Sequence, residues 1–246
     1  MHIAPEIIAE QVMGYVVWAA QLIPTLKPSA KKTYSVAIIP QGPHFYTGLL
    51  QAAGYLLLDS KKKKVLIISQ QSEDIKHILV DNNVYGPIFG QYIKSSSNKI
   101  TKFAREIDAI ISTSQQKLLA EYINFQLPFL RVISTSKEIL HISIGEKSSK
   151  TSLNKVLKWI KNHKKEYNIV FLTNIELIQA AKSKKNDEQE KIAKIIQTSS
   201  EKKPLLTLFQ KTLDSQKKRP QIIAYVNPAD FGKATSLTTR YICAVG

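Results

Sequence analysis

The 246-residue chain is 43% hydrophobic and carries 35 Lys plus Arg against 19 Asp plus Glu, a formal charge of +16. That apolar content suffices for a substantial core, and the length allows one large α/β domain or two small ones, of which a single domain is favoured. One cysteine, Cys243, excludes an intramolecular disulfide and a Cys-rich metal site, and places the chain in a reducing, cytoplasmic compartment. Residues 1–30 read as an N-terminal helical extension, with an amphipathic helix over 5–23 that starts at Pro5. Its apolar stretch is preceded by Glu6 and Glu10 and interrupted by Gln21 and Pro24, so it is neither a signal segment nor a membrane span. Such a helix packs on the domain or on a second subunit, which is compatible with a homo-oligomer.

Residues 31–246 alternate in type as one α/β domain. Val36 to Pro40 is a short, β-branched, apolar run, a buried strand. Gly42 and Pro43 turn the chain, and a helix follows over about 47–59. Val65 to Ile68 is a second strand that ends in a polar stretch reaching Ser72, and the segment Asp81 to Gly90 is turn-rich. Residues 100–112 form a helical or extended connection with Ile107, Ile110 and Ile111 inward, and a helix over 114–124 has Ser114 as N-cap. Further strands are expected over 140–144, 168–173, 221–226 and 239–245, with helices over 149–163, 186–198 and 204–214. This order predicts a three-layer α/β/α fold with a central, mostly parallel or mixed sheet. Ligands of open α/β sheets bind beyond the carboxyl ends of the strands, so Gln41 to Tyr46 occupies the expected position for chemistry.

The basic balance would suit nucleic acid or a membrane surface. Against specific nucleic-acid recognition, only Arg105, Arg131, Arg219 and Arg240 are arginines, and the lysines fall in short runs at loops and helix ends. A basic nucleic-acid-associated protein is therefore the second alternative reading. The chain contains no Walker loop, no GxGxxG after a strand, no HExxH and no GxSxG elbow.

The order and spacing of several segments resemble the MEMO family, homologues of class III extradiol ring-cleaving dioxygenases also described as AmmeMemoRadiSam system protein B. Pro40-Gln41-Gly42-Pro43-His44-Phe45-Tyr46-Thr47-Gly48 is similar to the family's Pro-His-Ala-Gly-Tyr-x-Tyr-Ser-Gly. Val65 to Ser72 matches an apolar strand ending Gly-Pro-Ser-His, and Tyr85 to Gly90 echoes Tyr-x-Thr-Pro-Leu-Gly. Tyr122 to Leu130 resembles Ser-Ile-Glu-x-His-Leu-Pro-Phe-Leu, and Leu172-Thr173-Asn174 resembles a strand ending Ser-Ser-Asp. Tyr225-Val226-Asn227 and Tyr241 to Val245 match the C-terminal segments, so the similarity covers about residues 34–246.

The resemblance implies a pocket where three histidines bind a transition metal. Here those positions hold Gln41, Ser72 and Leu177, the family's pocket cysteine falls on Ser200, and supporting carboxylates become Asn124 and Asn174. Leu has no lone pair, and Gln and Ser are weak neutral ligands. The expectation is a pseudoenzyme with no metal and no cofactor, whose ligand pocket comprises Gln41, His44, Tyr46, Ser72, Glu73, Asn174 and Glu176 and which binds a small polar ligand, a peptide or a partner subunit. The alternative is a dioxygenase-like or redox enzyme with a relocated site drawn from His44, Glu73, Asp74, His77 and Glu176. His141 alternates with Ile142 and Ile144, as a structural or exposed histidine, and Cys243 reads as a buried, inert thiol.

Overall fold

The computed structural model describes residues 5–26, 33–41, 44–70, 75–82, 85–88, 91–93, 97–112, 123–133, 138–173, 175–176, 203–226 and 239–246. Its strands are β1 (Val36–Ile39), β2 (Lys64–Gln70), β3 (Ile78–Val80), β4 (Tyr85–Ile88), β5 (Gln91–Ile93), β6 (Ile110–Ile111), β7 (Glu138–Ile144), β8 (Tyr167–Leu172), β9 (Ile175–Glu176), β10 (Gln221–Val226) and β11 (Thr239–Val245). Its helices are α1 (Pro5–Leu26), α2 (His44–Leu56), α3 (Ser97–Ile107), α4 (Leu127–Ile133), α5 (Lys150–His163) and α6 (Pro204–Asp214).

The expected runs at 36–40, 65–68 and 168–173 become β1, β2 and β8, which with β7 form a parallel block in the order β1-β8-β2-β7. Antiparallel β11 and β10 extend the block beyond β1, antiparallel β3 extends it beyond β7, and β6 closes that edge parallel to β3. The short β9 pairs with β11 off this path. The sheet is therefore mixed, and helices cover both faces in a three-layer α/β/α arrangement.

Strand alternation sends side chains to two cores. Val36, Ile38, Leu66, Ile68, Ile169 and Phe171 meet Ile100 and Phe103 of α3, Val156 and Trp159 of α5 and Phe209 of α6. Ala37, Ile39, Val65, Ile67, Val170 and Leu172 meet Val12 and Ala19 of α1, Leu50 and Tyr55 of α2, and Leu127 and Phe129 of α4. Each large side chain fully buried in this way contributes about 1.5–3 kcal/mol. No described helix is long and apolar enough to cross a membrane.

Helix ends follow local chemistry. The Ser149 hydroxyl caps α5 by accepting from the Ser152 amide at 3.1 Å, and α6 opens on Pro204, whose missing N–H costs nothing in a first turn.

Several expectations are corrected. Helix α2 starts at His44, so His44 and Tyr46 stand in its first turn rather than in a loop. The turn-rich segment contains β4, which pairs antiparallel with β5 just beyond it. Ile110, expected inward, is 50% exposed, because β6 is an edge strand only two residues long. β7 begins at Glu138, two residues earlier than its apolar pattern indicates, since the carboxylate has partners that allow its burial. Most of the helix expected over 114–124, and the whole of that over 186–198, lie outside the described residues.

Two glycines of α2 set its distance from its neighbours. A Cβ on Gly48 would stand 2.5 Å from the Tyr15 ring of α1, and one on Gly54 would stand 2.7 Å from Cγ1 of Ile39 in β1. By contrast, nothing lies within 4 Å of a Cβ on Gly14, an exposed position of α1. Gly54→Val is expected to destabilise the fold by about 1–3 kcal/mol through overpacking. Gly14→Ala should stabilise it by about 0.5–1 kcal/mol through helix propensity alone, and chemical denaturation of both variants checks the contrast.

Candidate functional site

The carboxyl end of β1 is built from neutral polar groups. The carbonyl of Pro40, one residue past the strand, accepts from Nε2 of Gln51 at 3.3 Å and from Nε2 of Gln126 at 3.4 Å. Gln51 comes from the second turn of α2 and Gln126 from the turn before α4, and both are completely buried. The Tyr55 hydroxyl donates to Oε1 of Gln126 at 3.2 Å, and its ring stacks on Phe129 with centroids 6.4 Å apart. Burial pushes the Tyr55 hydroxyl well above its usual range, so it remains a donor. The Thr173 amide, just past β8, donates to the Ile39 carbonyl at 3.2 Å. Two helices are thus tied to the end of β1 by amide and hydroxyl groups without a formal charge.

A second polar chain crosses the carboxyl ends of β2 and β7 on the face covered by α1, α2 and α4. Nδ1 of His141 lies 3.1 Å from Oδ2 of Asp81, its Nε2 lies 2.9 Å from Oγ of Ser69, and Ser69 Oγ lies 2.6 Å from Oγ of Ser143. With Asp81 ionised, Nδ1 carries the proton it donates, and Nε2 of a neutral imidazole then accepts from Ser69. Asp81 also donates its backbone N–H to the His141 carbonyl at 2.9 Å.

The order carboxylate, imidazole, hydroxyl has the connectivity of a nucleophile relay. Its burial decides against that role. The side chains of His141 and Asp81 are 0% and 1% exposed, and Ser69 is 1% exposed. No substrate carbonyl reaches that hydroxyl, so the chain is a cross-link that holds β2, β7 and the residue after β3 in register.

The structure places the expected pocket residues unevenly. Gln41 is half-buried directly after Pro40, His44 and Tyr46 belong to the first turn of α2, and Glu176 belongs to β9, whose partner β11 neighbours β1. These four positions are on the backbone around the end of β1. Ser72, Glu73 and Asn174, together with Asp74 and Leu177, lie outside the described residues. His77 is exposed, following β2 and preceding β3. His141 is structural and fully buried, and Cys243 is buried with its thiol pushed up to about 12 by desolvation.

Gln51, Tyr55, Gln126, Ser69 and Asp81 were absent from the expected site. A signal existed for part of this set: His141 and Ser143 are two polar residues on one face of a buried strand, which requires buried partners. For Gln126 no local signal exists, because its partner Pro40 is 86 positions away.

No protein-family model and no curated protein matches this sequence. The chain is similar to the crystal structure of an uncharacterized protein from Escherichia coli K12, JW3007, at 8% identity and a TM-score of 0.49, over 86% of this chain and 99% of that one. This likeness carries no inference about function.

The described polar groups at the end of β1 are amides and a hydroxyl, and among the described residues no three His, Cys, Asp or Glu side chains group closely enough to hold an ion.

Asp81→Leu is expected to cost about 3 kcal/mol by leaving the buried imidazole without its acceptor, whereas Ser143→Ala should cost about 1 kcal/mol; urea unfolding measures both. In the native protein, phenylmethanesulfonyl fluoride should leave Ser69 unmodified and iodoacetamide should leave Cys243 unmodified, as read by peptide mass spectrometry. On unfolding, Cys243 should become reactive, whereas Ser69, an unactivated hydroxyl, should stay unmodified.

Proposed function

We propose that this chain is a non-catalytic binding protein, a pseudoenzyme on a MEMO-like, class III extradiol dioxygenase-like scaffold, whose crevice beyond the carboxyl end of β1 receives a small polar ligand. The observation that supports this reading is Gln41, a half-buried amide directly after Pro40 at a position where the resemblance implies an imidazole, above a floor that the buried Gln51 and Gln126 amides tie to the Pro40 carbonyl. Amide groups donate and accept hydrogen bonds at fixed positions, which suits recognition of a neutral or zwitterionic polar molecule. They do not lower the pKa of a bound water or polarise a substrate oxygen as a Lewis acid does, so that end of the sheet offers a surface for binding rather than for turnover.

The proposal concerns donor atoms, so metal content tests it. Protein purified after growth in metal-supplemented medium is expected to carry no stoichiometric iron, copper or zinc by elemental analysis. Installing imidazoles where the resemblance places them, through Gln41→His, Ser72→His and Leu177→His together, should create a zinc site that equilibrium dialysis detects and the parent lacks. Stoichiometric metal in the parent that disappears in His44→Ala would replace this reading with that of a relocated metalloenzyme site.

A further inference from the structure

The opposite end of the sheet carries a cleft of about 270 Å³ over the first residues of β2, β7 and β8, between α3 and α5. Its wall is aromatic. Phe103, Trp159 and Tyr167 are 2%, 6% and 5% exposed, with the Trp159 ring centroid 4.6 Å from that of Phe103 and 5.1 Å from that of Tyr167.

Two carboxylates are fastened to this wall by aromatic donors. The Tyr167 hydroxyl donates to Oε1 of Glu138, and the indole N–H of Trp159 donates to Oε2 of Glu106 at 2.8 Å. Lys99 and Lys102, by contrast, reach in from solvent. Lys99 pairs with Oε2 of Glu138 although its side chain is 56% exposed, and Lys102, 79% exposed, stands 4.0 Å from Glu106. Lys64 pairs with Glu166 at 2.6 Å and holds its ammonium 5.3 Å from the centre of the Tyr167 ring.

On the α3 side of the cleft, Glu138 and Glu106 are held by aromatic donors, and each is less exposed than the lysine that faces it. Glu138 is the deepest carboxylate, with its side chain 10% exposed. Burial raises its pKa, but hydrogen bonds from Lys99 and Tyr167 and the charges of Lys99 and Lys64 outweigh that, so it stays ionised at neutral pH. An anion entering the cleft would meet two anchored carboxylates. A cation would meet those carboxylates and the aromatic wall, on which the His163 ring already stacks against Trp159 with centroids 4.1 Å apart, and would compete with the exposed side chains of Lys99 and Lys102.

We propose that this cleft binds a small organic cation, an ammonium or guanidinium group on a short apolar stem. Glu138 and Glu106 are its anionic anchors, Trp159 and Phe103 contact the stem, and Lys99 is the internal cation it displaces. The volume lies just below the range of drug-sized pockets, which limits the ligand to a small molecule. The site is independent of the crevice at the carboxyl end of β1 and does not rest on its function.

The test follows the Trp159 indole N–H by nuclear magnetic resonance in the full chain, with exposed Trp18 as internal reference. Titration with n-butylguanidinium should shift the Trp159 resonance saturably and leave Trp18 in place, while n-butanol and n-butanoate at matched ionic strength should shift neither. Lys99→Ala should tighten n-butylguanidinium binding about threefold by removing the internal competitor. Glu138→Gln, nearly isosteric, should weaken it about tenfold. If Glu138→Gln fails to fold by circular dichroism, Glu106→Gln, at a side chain 38% exposed, provides the same arm. The proposal is overturned if n-butanoate shifts Trp159, if n-butylguanidinium does not, or if Lys99→Ala weakens the binding.

Discussion

Burial of β1, β8, β2 and β7 on both faces governs the rest of this molecule. A parallel block of this kind cannot present one face to water, so every mid-strand side chain must be apolar or must find its hydrogen-bonding partners inside the protein. β8 shows the rule, with Ile169, Val170, Phe171 and Leu172 nearly inaccessible. Polar residues are admitted where helices, turns and neighbouring strands bring groups that match them. The amides around Pro40, the chain from Asp81 to Ser143 and the pairing of Glu138 with Tyr167 all arise in this way.

The two ends of the sheet answer the constraint differently. At the carboxyl end of β1 the partners are amides and a hydroxyl that tie two helices to the Pro40 carbonyl, with half-buried Gln41 following them. At the amino ends, Glu138, Glu106 and Glu166 face Lys99, Lys102 and Lys64 across an open cleft. A carboxylate tolerates that place because solvent and lysine ammonium groups reach it there. The excess positive charge of the chain is thus no single recognition surface; part of it is spent on carboxylates at one rim.

The buried relay of Asp81, His141 and Ser69 shows that connectivity alone does not make a catalytic site. Its donors and acceptors follow the order of a nucleophile triad, yet the hydroxyl has no exposed face and is hydrogen-bonded within the sheet. Such a chain ties β2 and β7 to the residue after β3, and it opposes a slip of register because any shift would leave buried groups unmatched.

The amino-acid sequence by itself determined the element types: the β-branched runs at 36–39, 65–68 and 168–172 are strands, and the apolar spacings at 153–160 and 205–213 are helices. It also indicated that both faces of the sheet would be covered, because strands and helices alternate along the chain. Only the tertiary structure decided the order β10-β11-β1-β8-β2-β7-β3-β6, and only it decided which polar residues meet. Hydrophobic periodicity is a property of neighbours along the chain, whereas Asp81 finds His141 across 60 positions and Lys99 finds Glu138 across 39. Side chains so far apart become partners through packing, and a local pattern holds no record of it.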